Sequence, residues 1–219
     1  MTPDILTAEQ MALLGKIGST PMFRERFYLT GGTPLAAFNL QHRYSEDLDF
    51  FSEREVDVGA LNVFFKEIKD DLGFIDIDFQ QSFNRNLFFL KFKNSVLKTE
   101  FTYFPFARIE KGAAQFGLDV DSLIDIAVNK LFTIYQRTQA RDYIDLYVIC
   151  RDRGLAISDL VKQARIKFDT HIDPIQLGTQ FVKAAEATDY PRLIRIFNPS
   201  EWQSFFMAEA KKLKLEVIE

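Results

Sequence analysis

Residues 27–52, FYLTGGTPLAAFNLQHRYSEDLDFFS, bring two apolar strand-like runs, a double glycine and paired carboxylates into one short piece of chain. The run 27–30 reads as a short buried strand ending at Gly31 and Gly32, where a backbone without Cβ turns tightly and can approach a ligand closely. Thr33 then opens a helix: its hydroxyl suits a cap, Pro34 suits the first helical position, and Leu35, Ala36, Ala37, Phe38 and Leu40 continue it. The run 47–51 reads as a second strand, so alternation puts Asp47 and Asp49 on one face and Leu48 and Phe50 on the other. Two carboxylates about 7 Å apart along a strand repel unless a cation sits between them, and hard oxygen ligands favour Mg²⁺ or Mn²⁺. Backbone N–H groups at the helix start could hold a phosphate opposite that metal. The combination predicts a nucleoside triphosphate site. Asp-x-Asp alone also suits phosphohydrolases and glycosyltransferases, but neither accounts for a double glycine joined to it by one helix.

The rest of the chain reads as support. Its 219 residues suffice for one large domain or two small ones, and a composition 47% hydrophobic and 26% charged is that of a soluble globular protein. Phe accounts for 23 residues against seven Tyr and one Trp, in alternating or helical patterns that point to core. The net charge of -4 excludes a generally basic nucleic-acid-binding surface and leaves room for a local basic groove. The acidic excess lies in the first 120 residues, with 17 acidic against 13 basic, the part that holds Asp47 and Asp49. A single cysteine, Cys150, on an apolar helical stretch reads as a buried small residue in a reducing compartment. With no signal peptide and no bilayer-length apolar run, the expectation is a cytoplasmic protein.

Helical spacing marks 7–18, with Thr7 or Asp4 as cap, and 57–71, stopped by Gly73. Three strand-like runs follow, 74–80, 86–93 and 95–104, with turns at 82–85 and 93–95; they predict an antiparallel meander. The first reads as half-buried, Ile75, Ile77 and Phe79 against Asp76, Asp78 and Gln80. In the third, Leu97, Thr99 and Phe101 face one way and Lys98, Glu100 and Thr102 the other. Glu100 is then either an exposed acid paired with Lys98 or Lys91, or a third metal ligand or base. The segment 105–117, with Pro and two Gly, reads as a boundary between domains 1–116 and 117–219. Beyond it the pattern is helical: from a cap at Asp121 or Ser122, then 138–151, 158–168, 174–187 and 201–214.

YLTGGT at 28–33, RYSEDLDFF at 43–51, DIAVNKL at 125–131 with Arg137, and RDYIDLY at 141–147 together resemble the AbiEii/AbiGii toxin family of nucleotidyltransferases, within the DNA polymerase β-like superfamily. The resemblance spans about 27–149 and is specific as an ordered set. It implies an α+β fold, a mixed β-sheet flanked by helices and followed by a helical C-terminal region. It implies metal-dependent transfer of a nucleoside monophosphate from a triphosphate to an acceptor, by the toxin of a bacterial toxin–antitoxin or abortive-infection system. Carried over, Gly31, Gly32 and Thr33 hold the β and γ phosphates, Asp47 and Asp49 bind Mg²⁺ or Mn²⁺, and Glu100 fits the third acidic position. Thr33 replaces the commoner Ser. Lys130 is either a snorkelling lysine or a cation on the phosphates. Asp142 and Asp145, three apart on one helix face, either orient Lys130 and the base or form a structural network with Arg141 or Arg137. Arg43 is either a second phosphate cation or a brace for the turn before Asp47. The resemblance implies a triphosphate, an acceptor such as tRNA or another RNA, and a cognate antitoxin as partners. The competing expectation is a nucleotide-binding or partner-binding protein of the same fold without turnover.

Overall fold

A computed structural model describes residues 5–218, with side chains up to 213. Two compact units interleave along it. One takes in the chain up to Ala37, Ser45–Ala107 and Lys111–Ser122; the other takes in Phe38–Tyr44, Arg108–Glu110 and the chain from Leu123 on.

The first unit begins with α1 (Ala8–Ser19) and the single-turn α2 (Pro21–Arg24). Thr7 caps α1 in a reciprocal box with Gln10, satisfying donors that a helix start leaves open; Asp4, the other candidate cap, lies outside the described residues. Next come β1 (Tyr28–Thr30), a helical turn α3 (Gly32–Pro34) running into a π-helix (Leu35–Leu40) whose last three residues are counted with the second unit, then β2 (Leu48–Ser52) and α4 (Val58–Leu72). Asp57 caps α4 and left-handed Gly73 ends it. Strands β3 (Asp76–Ser82), β4 (Arg85–Lys91), β5 (Val96–Tyr103), β6 (Lys111–Gln115) and β7 (Leu118–Asp121) complete the unit.

The strands of the described residues form one mixed sheet in the order β3-β4-β5-β2-β1-β7-β6. The expected meander is present, β3, β4 and β5 pairing antiparallel in turn. At its centre β2 runs parallel to β5 and antiparallel to β1, and β1 runs parallel to β7. One face is apolar and carries α1 and α4. Phe101, fully buried on β5, is its hub: its ring stacks on Phe50 at 4.9 Å and meets Phe27, Phe65 and Phe88 edge-on at 5.0–6.0 Å. The Phe excess is therefore core, each ring adding about 0.5–1.5 kcal/mol per aromatic pair beyond its burial.

Two expectations meet corrections here. β3 is not half-buried: at the sheet edge every residue of it but Ile77 is exposed, Phe79 at 39%, and Ile75 just before it is 64% exposed. The segment 105–117 is not where the two units divide. It contains β6, whose small residues lie against β7, and the first unit runs on to Ser122. A Cβ on Gly112 would come within 2.0 Å of the Val120 carbonyl, so this glycine, which reads as a breaker, permits close strand approach instead.

The second unit holds α5 (Leu123–Gln136), α6 (Ala140–Arg153), α7 (Ile157–Phe168), α8 (Pro174–Val182) and α9 (Pro199–Ile218), near the expected spans. Its core gathers Tyr143, Phe181, Trp202 and Phe206, and Phe132 stacks on Phe168 at 4.0 Å. Among the described residues no helix is long and apolar enough to cross a membrane.

Candidate nucleotide site

The open face of the sheet's centre carries the acidic residues. Thr30 on β1 pairs in register with Asp49 on β2, Asp49 with Glu100 on β5, and Glu100 with Leu87 on β4. Because residues in one register row share a face, Asp49 and Glu100 project side by side, with Asp47 two residues before Asp49. Asp47 and Asp49 are half-buried and Glu100 is buried.

The glycine turn abuts this row. Gly31 has φ +80° and ψ −151°, a conformation open essentially to glycine alone, and a Cβ there would lie 2.7 Å from Asp49 Oδ2. The turn and the carboxylate are thus fitted to each other. Gly31 is itself the residue that caps the following helix, and no side chain caps its N-terminus. The expectation that Thr33 caps the helix is corrected: Thr33 is already inside it, and its buried hydroxyl donates to the Asp47 backbone carbonyl. That bond ties the helix start to the approach of β2. What Thr33 offers a phosphate is its backbone N–H. Leu35–Leu40, directly after this turn, are π-helical, an arrangement frequent at functional sites.

Two basic side chains meet the acids. Lys98 Nζ lies 2.8 Å from Asp47 Oδ2, with both side chains about 30% exposed. Arg85 holds Glu100 in a fork, Nε to Oε1 and Nη2 to Oε2, each at 2.6 Å, and Thr102 Oγ1 adds a 2.7 Å bond to Oε1. Burial alone would raise the Glu100 carboxyl pKa, but the hydrogen bonds from Arg85 and Thr102 outweigh it and hold it below the usual range. Of the pairings open to Glu100 at the sequence level, neither Lys98 nor Lys91 is used: Lys98 takes Asp47, and Lys91 takes Asp76 and Asp78. The expected turn over 82–85 includes Arg85. The hairpin is tighter, with Ser82 opposite Arg85, and this puts Arg85 opposite Thr102 on the Glu100 face. Phe83 and Asn84 form its two-residue turn without a glycine, with Phe83 at φ +50°, so the usual sequence mark of such a hairpin is missing.

Among the described residues no three His, Cys, Asp or Glu side chains converge as a ready metal cage. Mg²⁺ does not require one, since it is commonly held by one or two carboxylates with substrate phosphates and water completing the shell. Asp49 on β2 and Asp47 just before that strand, hard-oxygen donors beside a helix start, fit that arrangement.

The remaining candidates form a separate cluster within the second unit. Asp145, wholly buried on α6, accepts from Arg43 Nε at 2.6 Å and Nη2 at 2.7 Å, and from Lys130 Nζ at 2.7 Å; His42 Nε2 lies 2.8 Å away. Lys130 on α5 also meets Asp142 at 2.7 Å, and Arg137 reaches Asp142 at 3.2 Å. Burial alone would raise both carboxyls, yet both lie low: Arg43 and Lys130 hold Asp145 well below its ordinary value, and Lys130 and Arg137 hold Asp142 below its own. Burial alone would lower the Lys130 pKa, but Asp142 and Asp145 raise it. Lys130 is therefore not a snorkelling lysine. Arg141, an expected partner of the aspartates, bonds Gln139 instead. Cys150 is a free, buried thiol pushed up to about 12 by burial.

Residues 13–208 match the family model described as nucleotidyl transferase AbiEii toxin, type IV TA system. The uncharacterized protein aq_aa25 of Aquifex aeolicus is 29% identical over 164 residues, 74% of this chain and 76% of that one. The crystal structure of JHP933 from Helicobacter pylori superposes with a TM-score of 0.60 at 20% identity, covering 95% of this chain and 90% of its own. A second H. pylori crystal structure gives 0.60 at 22% identity over 100% and 99% of the two chains. At these identities the structures speak to the fold, and it is shared over essentially the whole length.

Proposed function

The chain belongs to the AbiEii nucleotidyl transferase toxin family, and from that premise we propose that it transfers a nucleoside monophosphate from a nucleoside triphosphate to an RNA acceptor, tRNA being the first candidate, with release of pyrophosphate. The observation that carries this reading is the fit of the Gly31 turn against Asp49, with Asp47 just ahead of the same strand. Asp47 and Asp49 would hold Mg²⁺ or Mn²⁺, which supplies a Lewis acid for the phosphoryl oxygens. The backbone of Gly32 and Thr33 takes the β and γ phosphates, through N–H groups that no side chain caps. Gly31 lets those phosphates come close to the Asp49 carboxylate. Thr33 keeps glycine turn and strand in register through the Asp47 carbonyl. Lys98 offsets the Asp47 charge until a cation arrives.

In the second unit, Asp142 and Asp145 fix the Lys130 ammonium, and Asp145 also fixes Arg43. We assign this cluster a bracing role within the second unit, the two carboxylates holding the Lys130 ammonium between them. The protein acts as the toxin of a type IV pair and has a cognate antitoxin, which an adjacent reading frame for a winged-helix regulator would identify.

The test is incubation of purified protein with Mg²⁺, each labelled triphosphate and total RNA. Label should enter an RNA band with stoichiometric pyrophosphate, and Asp47→Asn should lower the rate at least ~100-fold, since a missing transition-state charge contact costs about 3–4 kcal/mol. Full transfer by folded Asp47→Asn would sink the assignment. Tight nucleotide binding by calorimetry with no product from any acceptor would favour the second reading, binding without turnover, which the ready pairing of Lys98 with Asp47 favours.

A further inference from the structure

Glu100 is held in a way that does not suit a metal ligand or a base. Both its oxygens already accept hydrogen bonds, from Arg85 and Thr102, and its side chain is only 6% exposed. Arg85 is the reverse: its side chain is 51% exposed, and its third nitrogen, Nη1, makes no hydrogen bond among the described residues. A guanidinium fixed by a carboxylate along one edge, with its other edge in solvent, is an arm made rigid for an anion. Arginine forks match phosphate in this way.

Its place in the sheet decides which phosphate. Across the open face the order is Thr30 with the glycine turn on β1, Asp49 on β2, Glu100 on β5 and Arg85 on β4. Strands lie about 4.8 Å apart, so Arg85 stands roughly three strand spacings from the glycine turn, with the acidic pair between them. Phosphoryl transfer places attacking and leaving oxygens in line. If the glycine turn holds the leaving phosphates, the acceptor enters from the β4 and β5 side. On that side Phe83, 98% exposed at φ +50°, stands at the hairpin tip two residues before Arg85. An exposed ring two residues from a fixed guanidinium offers what single-stranded nucleic acid needs, a face to stack a base and a cation for its backbone phosphate.

We propose that Arg85 binds a backbone phosphate of a single-stranded RNA acceptor on the β4 and β5 side of the site, with Glu100 as the positioning residue that holds it and Phe83 as a stacking platform. The inference deepens the nucleotidyl-transfer reading and rests on it for the direction of entry. Its test needs no turnover, so the two can fail separately. The probe is a fluorescein-labelled single-stranded oligoribonucleotide, titrated with full-length protein by anisotropy across a salt series, with nucleoside triphosphate affinity measured by calorimetry alongside.

Arg85→Ala should weaken RNA binding about tenfold and reduce the slope of log K against log salt by about 0.7, the value for one phosphate contact on a single strand, while triphosphate affinity stays within about twofold. Arg85→Lys should recover the salt slope and only part of the affinity. Phe83→Ala should weaken binding without changing the slope. Because Arg85→Ala strips the partner from a buried acid, the double variant Arg85→Gln with Glu100→Gln, a neutral hydrogen-bonded pair, must reproduce the loss with an unchanged melting temperature. Glu100→Gln alone should weaken RNA binding and leave the arginine charge in place. Loss of triphosphate affinity with RNA binding intact would overturn the proposal in favour of an arginine on the nucleotide. RNA binding that is absent in the wild type, or unchanged in every variant, overturns it outright, as does transfer onto a protein acceptor without RNA.

Discussion

Replacing Gly31 by alanine separates the glycine turn's role in folding from its role in the site. At φ +80° and ψ −151° an L-residue is held in a region that costs of order 1–3 kcal/mol. The new Cβ would also sit 2.7 Å from Asp49 Oδ2, inside contact distance, so either the turn or the carboxylate moves by several tenths of an ångström. Asp49 has a short side chain on a strand paired on both sides, so the turn and its helix start absorb part of the displacement. For a chain of this size, about 1–3 kcal/mol lowers the melting temperature by roughly 2–12 °C, which leaves the protein folded at room temperature. Transfer should suffer far more, because misplacing a reacting group by about 1 Å costs on the order of 100-fold. Differential scanning calorimetry and pyrophosphate release on the same preparation provide the comparison. The reasoning is refuted if Gly31→Ala transfers at the wild-type rate, or if it melts with the wild type, since the first denies the site and the second the backbone conformation.

Asp145→Asn should destabilise the protein by about 3–5 kcal/mol, the cost of breaking a buried ion pair, because the buried Arg43 loses the carboxylate charge that faces its Nε and Nη2, while Lys130 retains Asp142. The wild-type carboxyl lies well below its ordinary 3.8 when folded, so its contribution is complete above that pH and is lost as pH falls through the lower folded value. Urea titrations should therefore show the gap between variant and wild type constant near neutrality and shrinking below about pH 4; a gap under ~1 kcal/mol at pH 7 would mean that the network is not holding the unit together. Cys150, with its thiol pushed up to about 12, should resist a disulfide reagent at pH 8 in the native state and react at once in denaturant. Rapid native labelling would show that α6 opens.

The elements that the sequence discloses are those in which local chemistry and tertiary demand agree. Thr7 and Gly73 mark helix ends by the same bonds they make in the structure. The alternation of Leu97, Thr99 and Phe101 with Lys98, Glu100 and Thr102 gives β5 its two faces, and Phe101 at the hub of the core explains why the apolar face faces inward. β6 escapes because its residues 111–115, KGAAQ, have neither strand propensity nor alternation. It is held by pairing with β7 and by the close approach that Gly112 permits, and neither is visible along the chain.

The same division runs through the site. Asp47, Asp49 and the double glycine are close in sequence, so their meeting could be read directly. Glu100 lies beside Asp49 only because β2 and β5 pair in one of several possible registers, and a shift of one residue would turn it to the opposite face. Arg85 needs two such registers, β4 on β5 and a tight turn to β3, before it can reach Glu100. This dependence changes the meaning of the third acid. Read alone, a glutamate in an apolar strand near an Asp-x-Asp is a metal ligand or a base. With its register known it is a buried anchor whose two oxygens are both committed, and the charge it presents to solvent is the positive one of the arginine it holds.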